Sequence, residues 1–466
     1  MRKSTDVIII GAGLTGLALG VKLKKKNIKF RILEKNKYPG GVISTEQENG
    51  FVYECGPNTG VYSSPELVSL FDDLDGLCEL ETADRKANKR YIWKKGKWHA
   101  VPSGLFSAVG TPLFSLHDKF RILGEPFRKP GNDPHESLAD LVRRRMGQSF
   151  LDYAINPFIA GVYAGDPEKL ITKFALPKLY NLEQNYGSFI RGAIKKAKEP
   201  KTELERRATK EVFSVKGGLK NLINAMEEYI GKENILLNCT QTSVNIKGGK
   251  YLCSTLAGGS EHEFECDRVV TTTGSESLES LLPFVEKERI KVITGIKHAR
   301  IIQVAVGFKK WDGHDLDAFG GLVPEKEKRK VLGILFPSAI FSGRGPEGGA
   351  LLSIFMGGSR NPEIFAMDDD EIISMARTEL DRMMKTKREP ELVKIFRYEK
   401  AIPQYELSSE KRFETIDSLQ TQYPGLFIAG NIRDGIGMAD RVRQAGQIAD
   451  IIFKSHATKA QGSYTG

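Results

Sequence analysis

The chain has 466 residues, 40% of them hydrophobic, which is enough to bury a large core and suggests two or three domains. A mean hydropathy of -0.31 and the lack of any apolar run near twenty residues argue against a membrane-spanning helix. The 69 basic and 59 acidic side chains leave a net charge of +10, so nucleic acid, anionic lipid and anionic substrates all stay open as partners.

The opening "MRKSTDVIIIGAG" puts basic residues before an apolar run, but that run is short and no cleavage site follows it. It reads as a strand, and a cytoplasmic protein is expected. Five scattered cysteines (Cys55, Cys78, Cys239, Cys253, Cys266) contain no CxxC pair, so neither a disulfide framework nor a zinc site is expected.

"TDVIIIGAGLTGLALGVKLKKKNIKFRILEK" has the order strand, glycine turn, helix, strand. Val7 to Ile10 form a buried parallel strand, and the spacing predicts a helix from about Leu14 to Lys25. Gly11, Gly13 and Gly16 satisfy GxGxxG: a tight turn, close backbone approach to a pyrophosphate, and close helix–strand packing. Ala12, Leu14 and Thr15 complete that phosphate turn, with the helix N-terminal amides aimed at the anion. "FRILE" is the second strand, and Glu34 at its end, 18 residues beyond Gly16 and followed by Lys35, suits a ribose diol.

The stretch "PGGVISTEQENGFVYECGPNT" raises a further question, because a turn needs only one glycine. A nicotinamide enzyme has no use for Gly40-Gly41 just after the ribose-binding acid. FAD-dependent oxidases use such a pair to wrap the ribityl-pyrophosphate side of the cofactor. Gly40, Gly41 and Val42 are therefore assigned to FAD, and Gly56, Pro57, Asn58 and Thr59 to the passage beside its ring. Farther on, "FSVKGGLKNLINAM" and "ENILLNCTQTSVNI" read as a helix and a strand returning to this domain, with backbone near Gln241 meeting the adenine. "CDRVVTTTG" supplies another inner strand.

The C-terminal "GLFIAGNIRDGIGMADRVRQAGQIADIIF" is again strand, glycine turn and helix. Asn431 is placed for a ribityl hydroxyl. Ile436, Gly437 and Met438 bring a helix N-terminus, with its positive dipole, to the flavin edge that gains charge on reduction. No second GxGxxG follows a strand, which disfavours a reductase fed by a nicotinamide.

From about Trp98 to Lys201 the character changes. Residues 97 to 201 carry 16 basic and 10 acidic side chains, and "SLADLVRRRMG" and "SFIRGAIKKAKEPK" both read as basic amphipathic helices. "GLFSAVGTPLF" (residues 104–114) is apolar. A basic face beside an apolar patch suits an anionic membrane surface. Nucleic acid is not expected, because "VRRRM" lacks interleaved aromatics.

"GAGLTGLA", "ECGPNT", "NPFIAGVYAGDPEKL", "VKGGL", "GILFPSAIF", "LLSIFMGG", "AIPQY" and "AGNIRDGIGM" follow one another in an order and spacing that resembles the protoporphyrinogen oxidase family over nearly the whole chain. The resemblance implies that Arg90 in "NKRYIW" pairs with a porphyrinogen propionate, Leu322 and Leu335 clamp one pyrrole, Phe355 stacks on another, and the Gly161 carbonyl faces the pyrrole nitrogens. It also implies three two-electron oxidations by FAD, reoxidised by oxygen or another acceptor, and a membrane-binding helical segment. No side chain is assigned as general base, since none of the seven histidines falls in a motif. Coproporphyrinogen oxidation at the same site, and a catalytically silent FAD-binding protein, are the alternatives; a homodimer is one expected assembly.

The expected fold is α/β and α+β: a discontinuous Rossmann-type FAD-binding domain (residues 1–88, 204–285 and 423–454), a mixed-sheet substrate domain (89–97 and 286–422) and a helical membrane-binding domain (98–203). Residues 455–466 are expected to be a flexible tail.

Overall fold

The computed structural model describes residues 2–102, 107 and 110–462. Its first sheet is assembled from both ends of the chain. Strand Lys3–Ile10 pairs in parallel with Phe30–Leu33 on one side and with Ser260–Thr271 on the other. Ile235–Leu236 adds to Phe30–Leu33, and Leu426–Ile428 adds to the end of Ser260–Thr271, both in parallel. A parallel sheet must be covered on both faces, and Val7 and Ile9 face one core while Ile8 and Ile10 face the other. Helices Leu14–Lys25, Lys220–Ile230 and Met438–Gly462 pack into the first of these cores.

"ENILLNCTQTSVNI" forms two strands rather than one: Ile235–Leu236, then Thr240–Lys247, which runs antiparallel to Lys250–Ala257. Asn238, between the two strands, takes φ of 56°, a left-handed backbone that interrupts the extended run, and Gln241, at 52°, sits where the second strand's pairing shifts register. The expected tail also differs, since the last helix continues to Gly462.

The second sheet has the order Leu392–Pro403, His298–Phe308, Ala350–Gly357, Val331–Leu335, Ala318–Leu322, Lys89–Lys94, Lys97–Ala100. Only the Ala318–Leu322/Lys89–Lys94 pair is parallel, which sews the early strand into a sheet built mostly by later sequence. Ile302, Val304, Ile334, Leu352 and Ile354 point to one face and are wholly buried under helix Asp369–Met384, against its Ile372, Leu380 and Met383. Each such side chain contributes roughly 1.5–3 kcal/mol. The other face turns toward the nucleotide sheet.

The intervening segment is a set of short helices, including Leu116–Leu123, Leu138–Arg145, Asn156–Val162, Pro177–Tyr186 and Phe189–Ala197. Here the reading of "SLADLVRRRMG" as a basic outer face is corrected. Arg145 is fully buried, bonded to Glu183 at 2.6 Å and to Glu125 at 2.9 Å. Arg144 pairs with Glu136 and Glu183, and Arg143 with Asp140 and Glu168. Buried cations need such partners, so Arg145 is spent on internal carboxylates, while Arg143 pairs with its carboxylates at the surface. Of the apolar 104–114 stretch, residues 104–106, 108 and 109 lie outside the described residues. Leu113 is buried beside Ile92 and Tyr153, and Phe114 stacks on Phe150 with centroids 3.8 Å apart.

Candidate functional site

The first turn is built by glycine geometry. Gly11 has φ of 105°, and a Cβ on Gly16 would run into the Gly11 carbonyl oxygen, so helix and strand meet only without a side chain there. A Cβ on Gly13 would meet nothing within 4 Å. Gly13 begins helix Leu14–Lys25 with no side-chain cap, and the first turn has no acidic residue. A helix N-terminus left uncapped above open space is what a pyrophosphate needs. Ala12, Leu14 and Thr15 are buried behind it.

Glu34 is buried at the end of its strand. Its Oε2 accepts from the Ala12 amide at 2.7 Å, and its Oε1 from the Asn36 amide at 2.9 Å. Each oxygen keeps a second lone pair. The amides of Asn238 and Cys239 bond the carbonyls of Asn36 and Glu34, which brings Gln241 to the same corner as Glu34 and the exposed Lys35.

The glycine pair now has a physical reason. The Gly40 amide donates to the Ala12 carbonyl at 2.8 Å, and a Cβ on Gly41, at φ of 62°, would lie 3.3 Å from the Gly13 Cα. Two left-handed positions in a row let the loop lie on the GxGxxG turn. The next segment closes on it in turn: a Cβ on Gly56 would strike the carbonyl of Val42, whose own side chain is exposed. Pro57 and Thr59 are half-buried and flank Asn58, which is buried and fixed from the second sheet by Ser353 Oγ, donating to its Oδ1 at 2.7 Å. Gln303 Nε2 holds the Glu54 carbonyl, also at 2.7 Å.

The Glu54 side chain is buried and accepts from the Thr45 hydroxyl at 2.6 Å and the Leu219 amide at 3.0 Å. Burial pushes its carboxyl up, opposed by the Thr45 hydroxyl, the Leu219 amide and Arg344. Buried Arg344 reaches it at 3.3 Å and also donates to Ser214 Oγ and the Val215 carbonyl, tying the "ECGP" strand to the return segment.

The C-terminal turn is held by side chains. The Tyr405 hydroxyl shares its one proton between the carbonyls of Asn431 (2.8 Å) and Gly435 (3.1 Å) and accepts from the Gly435 amide (3.2 Å). Arg441 donates to the carbonyls of Arg433 and Gly435, Arg412 to that of Ile432, and Gln444 accepts from the Gly430 amide. Ile436 is half-buried and Met438 buried, while the Gly437 amide is bonded by Asp440 Oδ2 at 3.2 Å. A carboxylate thus sits at a helix start where only amides were expected.

Strand register collects the expected substrate residues. Leu322 faces Gly333, which faces Phe355, which faces Gln303; Gly320 faces Leu335, which faces Ser353. Directly paired residues share a face, as do residues two apart. Leu322, Leu335 and Phe355 therefore lie with Gln303 and Ser353 on the face turned toward residues 54–58. Arg90, paired with Gly320, joins them. Its guanidinium lies 6.0 Å from the Phe319 ring and forms no salt bridge with a carboxylate among the described residues. Gly161 comes from helix Asn156–Val162, and a Cβ there would occupy the place of the Leu322 side chain. A side chain at 161 would thus displace the end of the Leu322 side chain.

Sequence reasoning missed the supports: Tyr405, Arg412, Arg441, Gln444, Arg344, Gln303 and Ser353. Motifs quoted above contain Tyr405 ("AIPQY"), Ser353 ("LLSIFMGG") and Arg441 and Gln444 (the C-terminal stretch), without marking their roles. Thr272 was also missed; its hydroxyl donates to the Gly11 carbonyl at 3.0 Å across a gap of 261 residues.

Comparison with known proteins agrees with this geometry. The chain is 29% identical to protoporphyrinogen oxidase 2 of Arabidopsis thaliana over 96% of its own length and 93% of the relative's. It is 25% identical to coproporphyrinogen III oxidase of Bacillus subtilis (strain 168), covering 94% and 96%. A candidate protoporphyrinogen oxidase from Exiguobacterium sp. 255-15 superposes with a TM-score of 0.79 at 22% identity over 98% of this chain and all of that one, and so shares the fold. Residues 14–449 match the profile of the flavin containing amine oxidoreductases. Sheet, glycine turns and profile agree: the chain belongs to the flavin containing amine oxidoreductase family and is an FAD-dependent oxidoreductase.

Proposed function

We propose that the protein oxidises protoporphyrinogen IX to protoporphyrin IX in haem biosynthesis. One observation carries the reading: register puts Arg90, Leu322, Leu335 and Phe355 on a single sheet face, with Gly161 against Leu322, opposite the segment that passes the cofactor site. Bound FAD, held by the turns at Gly11–Gly16 and Asn431–Met438 and by Glu34, supplies the two-electron acceptor. The chain's own residues bind and orient the substrate. Arg90, without a carboxylate salt bridge among the described residues, offers its planar fork to a propionate. Leu322 and Leu335 grip one pyrrole, Phe355 stacks on another, and the Gly161 carbonyl accepts from a pyrrole N–H. Fixed distance and exclusion of water are the protein's contribution to rate. Molecular oxygen or another electron acceptor is the expected final oxidant, and a homodimer is one expected assembly.

The helical segment is proposed to rest on an anionic membrane from the cytoplasmic side. Leu116, Phe120, Leu123 and Phe127 are 69–81% exposed, Ile194 lies nearby in sequence to basic Arg191, Lys195 and Lys196, and Arg191 sits 5.5 Å from the Phe127 ring. Among the described residues no helix is long and apolar enough to cross a membrane. Flotation with anionic vesicles at low salt, lost as salt rises, is the expected result; no association at low salt removes the idea.

Coproporphyrinogen oxidation is the second reading, favoured by the Bacillus subtilis relative. Steady-state oxidation of the two porphyrinogens, followed by porphyrin fluorescence, separates them. Turnover of neither rejects the reading. Arg90→Ala is expected to raise the KM for protoporphyrinogen by about tenfold, as loss of a charged hydrogen-bonding partner does; an unchanged KM rejects the propionate role.

A further inference from the structure

Three of the substrate-facing residues sit on separate elements: Phe355 on strand Ala350–Gly357, Leu322 on Ala318–Leu322, and Gly161 on helix Asn156–Val162. One turn, "GGSR" at residues 357–360, joins all three. Gly357 and Gly358 take φ of 87° and 69°, which swings the chain off the end of the Phe355 strand. A Cβ on Gly358 would lie 2.8 Å from the Ala164 carbonyl oxygen, so the turn rests on the backbone just beyond the helix. The Ser359 amide donates to that same Ala164 carbonyl at 2.8 Å.

Arg360 then reaches the helix's other end. Its Nη2 donates to Asn156 Oδ1 at 3.1 Å, and its Nη1 donates to the carbonyl of Val323, the neighbour of Leu322, at 2.7 Å. Asn156 is itself fixed to the loop after Leu322: its Oδ1 accepts from the Glu325 amide at 2.9 Å, and its Nδ2 donates to Glu325 Oε2 at 3.1 Å. The guanidinium makes no salt bridge with a carboxylate among the described residues, and burial pulls its pKa down to about 10. A largely desolvated cation bonded only to a carbonyl and an amide is a costly way to add stability. Its geometry, however, spans the gap between the Gly161 helix and the Leu322 strand.

We propose that Arg360, with Asn156, is a positioning residue that sets the spacing between Gly161, Leu322 and Phe355, and so sets how tightly the slot grips a tetrapyrrole. This rests on the porphyrinogen reading above. Arg360 touches no reacting atom; it acts through the elements that do.

The test uses flavin-loaded, full-length enzyme carrying Arg360→Met, Asn156→Ala, both together, or Arg360→Lys. Measurements are KM and kcat for protoporphyrinogen and coproporphyrinogen, flavin content, melting temperature, and quenching of tryptophan fluorescence by protoporphyrin. Arg360→Met should raise KM and weaken protoporphyrin binding by about tenfold, with kcat and flavin content close to wild type. Asn156→Ala should do the same, and the double variant should add little, since the two residues share one contact. Arg360→Lys should not restore wild-type KM, because an ammonium cannot hold both acceptors in the guanidinium's fixed fork. Should Arg360→Met not fold, Asn156→Ala alone decides. Unchanged KM and porphyrin binding overturn the proposal, as does a loss of kcat, flavin and melting temperature in parallel, which would mark general destabilisation. Wild type that neither turns over a porphyrinogen nor binds protoporphyrin overturns the functional reading; active wild type with an indifferent Arg360→Met overturns this inference alone.

Discussion

The two glycine turns, Gly11–Gly16 and Gly430–Gly437, have the same local grammar, strand to turn to helix, but different supports. The first, Gly11 to Gly16, is shaped mainly by what its own residues lack: Gly16 meets the Gly11 carbonyl, and Gly13 opens to empty space. The second, Gly430 to Gly437, is held by long side chains, Arg441 and Gln444 from the helix it opens and Tyr405 and Arg412 from earlier in the chain. A turn shaped by missing atoms can be written in six residues. A turn shaped by donors and acceptors depends on wherever the fold brings them.

The difference can be broken at either end, and the largest effect belongs to the first turn. Gly16→Val is expected to yield protein without flavin, or none that folds, because backbone cannot move aside for a Cβ at the Gly11 oxygen; visible absorbance of the purified protein measures it. Arg441→Met comes next. It strips the Arg433 carbonyl of its Arg441 donor and leaves the Gly435 carbonyl only that of Tyr405, at a cost of about 3 kcal/mol, and should weaken flavin binding while the first turn stays intact. Denaturant melts and flavin titration report the two separately.

Tyr405→Phe should have the smallest effect at neutral pH, about 1–2 kcal/mol, and sharpens the comparison through pH. Burial raises the Tyr405 hydroxyl from 10 to about 12, partly offset by Arg441 and Arg412 close by. The folded state therefore keeps a proton that the unfolded chain gives up. This contribution is complete below pH 10 and is lost as pH rises toward 12. Wild type should lose more stability than Tyr405→Phe between pH 10 and 12; equal slopes would mean that the hydroxyl does not hold the turn.

The helical segment teaches a related lesson. "VRRRM" and "IRGAIKKAK" look alike in composition, yet Arg145 is fully buried against Glu125 and Glu183, while the last turn of Phe189–Ala197 carries Lys195 and Lys196. Charge content marks a helix as basic. Which of its cations face water depends on where the carboxylates lie, and those of Glu125 and Glu183 come from 20 and 38 residues away.

What the sequence determined by itself was local: the phosphate turn, the acid at the second strand's end, the glycine pair, and the return of the C-terminal strand and helix. In each, backbone sterics or hydrophobic period act over a few residues, and only a few residue types satisfy them. The proposed substrate face was visible only through family resemblance, because Leu322, Leu335 and Phe355 read as ordinary core-strand residues until register assigns them a side. Tertiary structure decided that side, the buried pairing of Arg344 with Glu54, and the clasp of Arg360 on Asn156, 204 residues apart in the chain. The physical reason is range: a hydrogen bond forms between whichever groups folding brings within 3 Å, and the identity of one partner carries no address for the other.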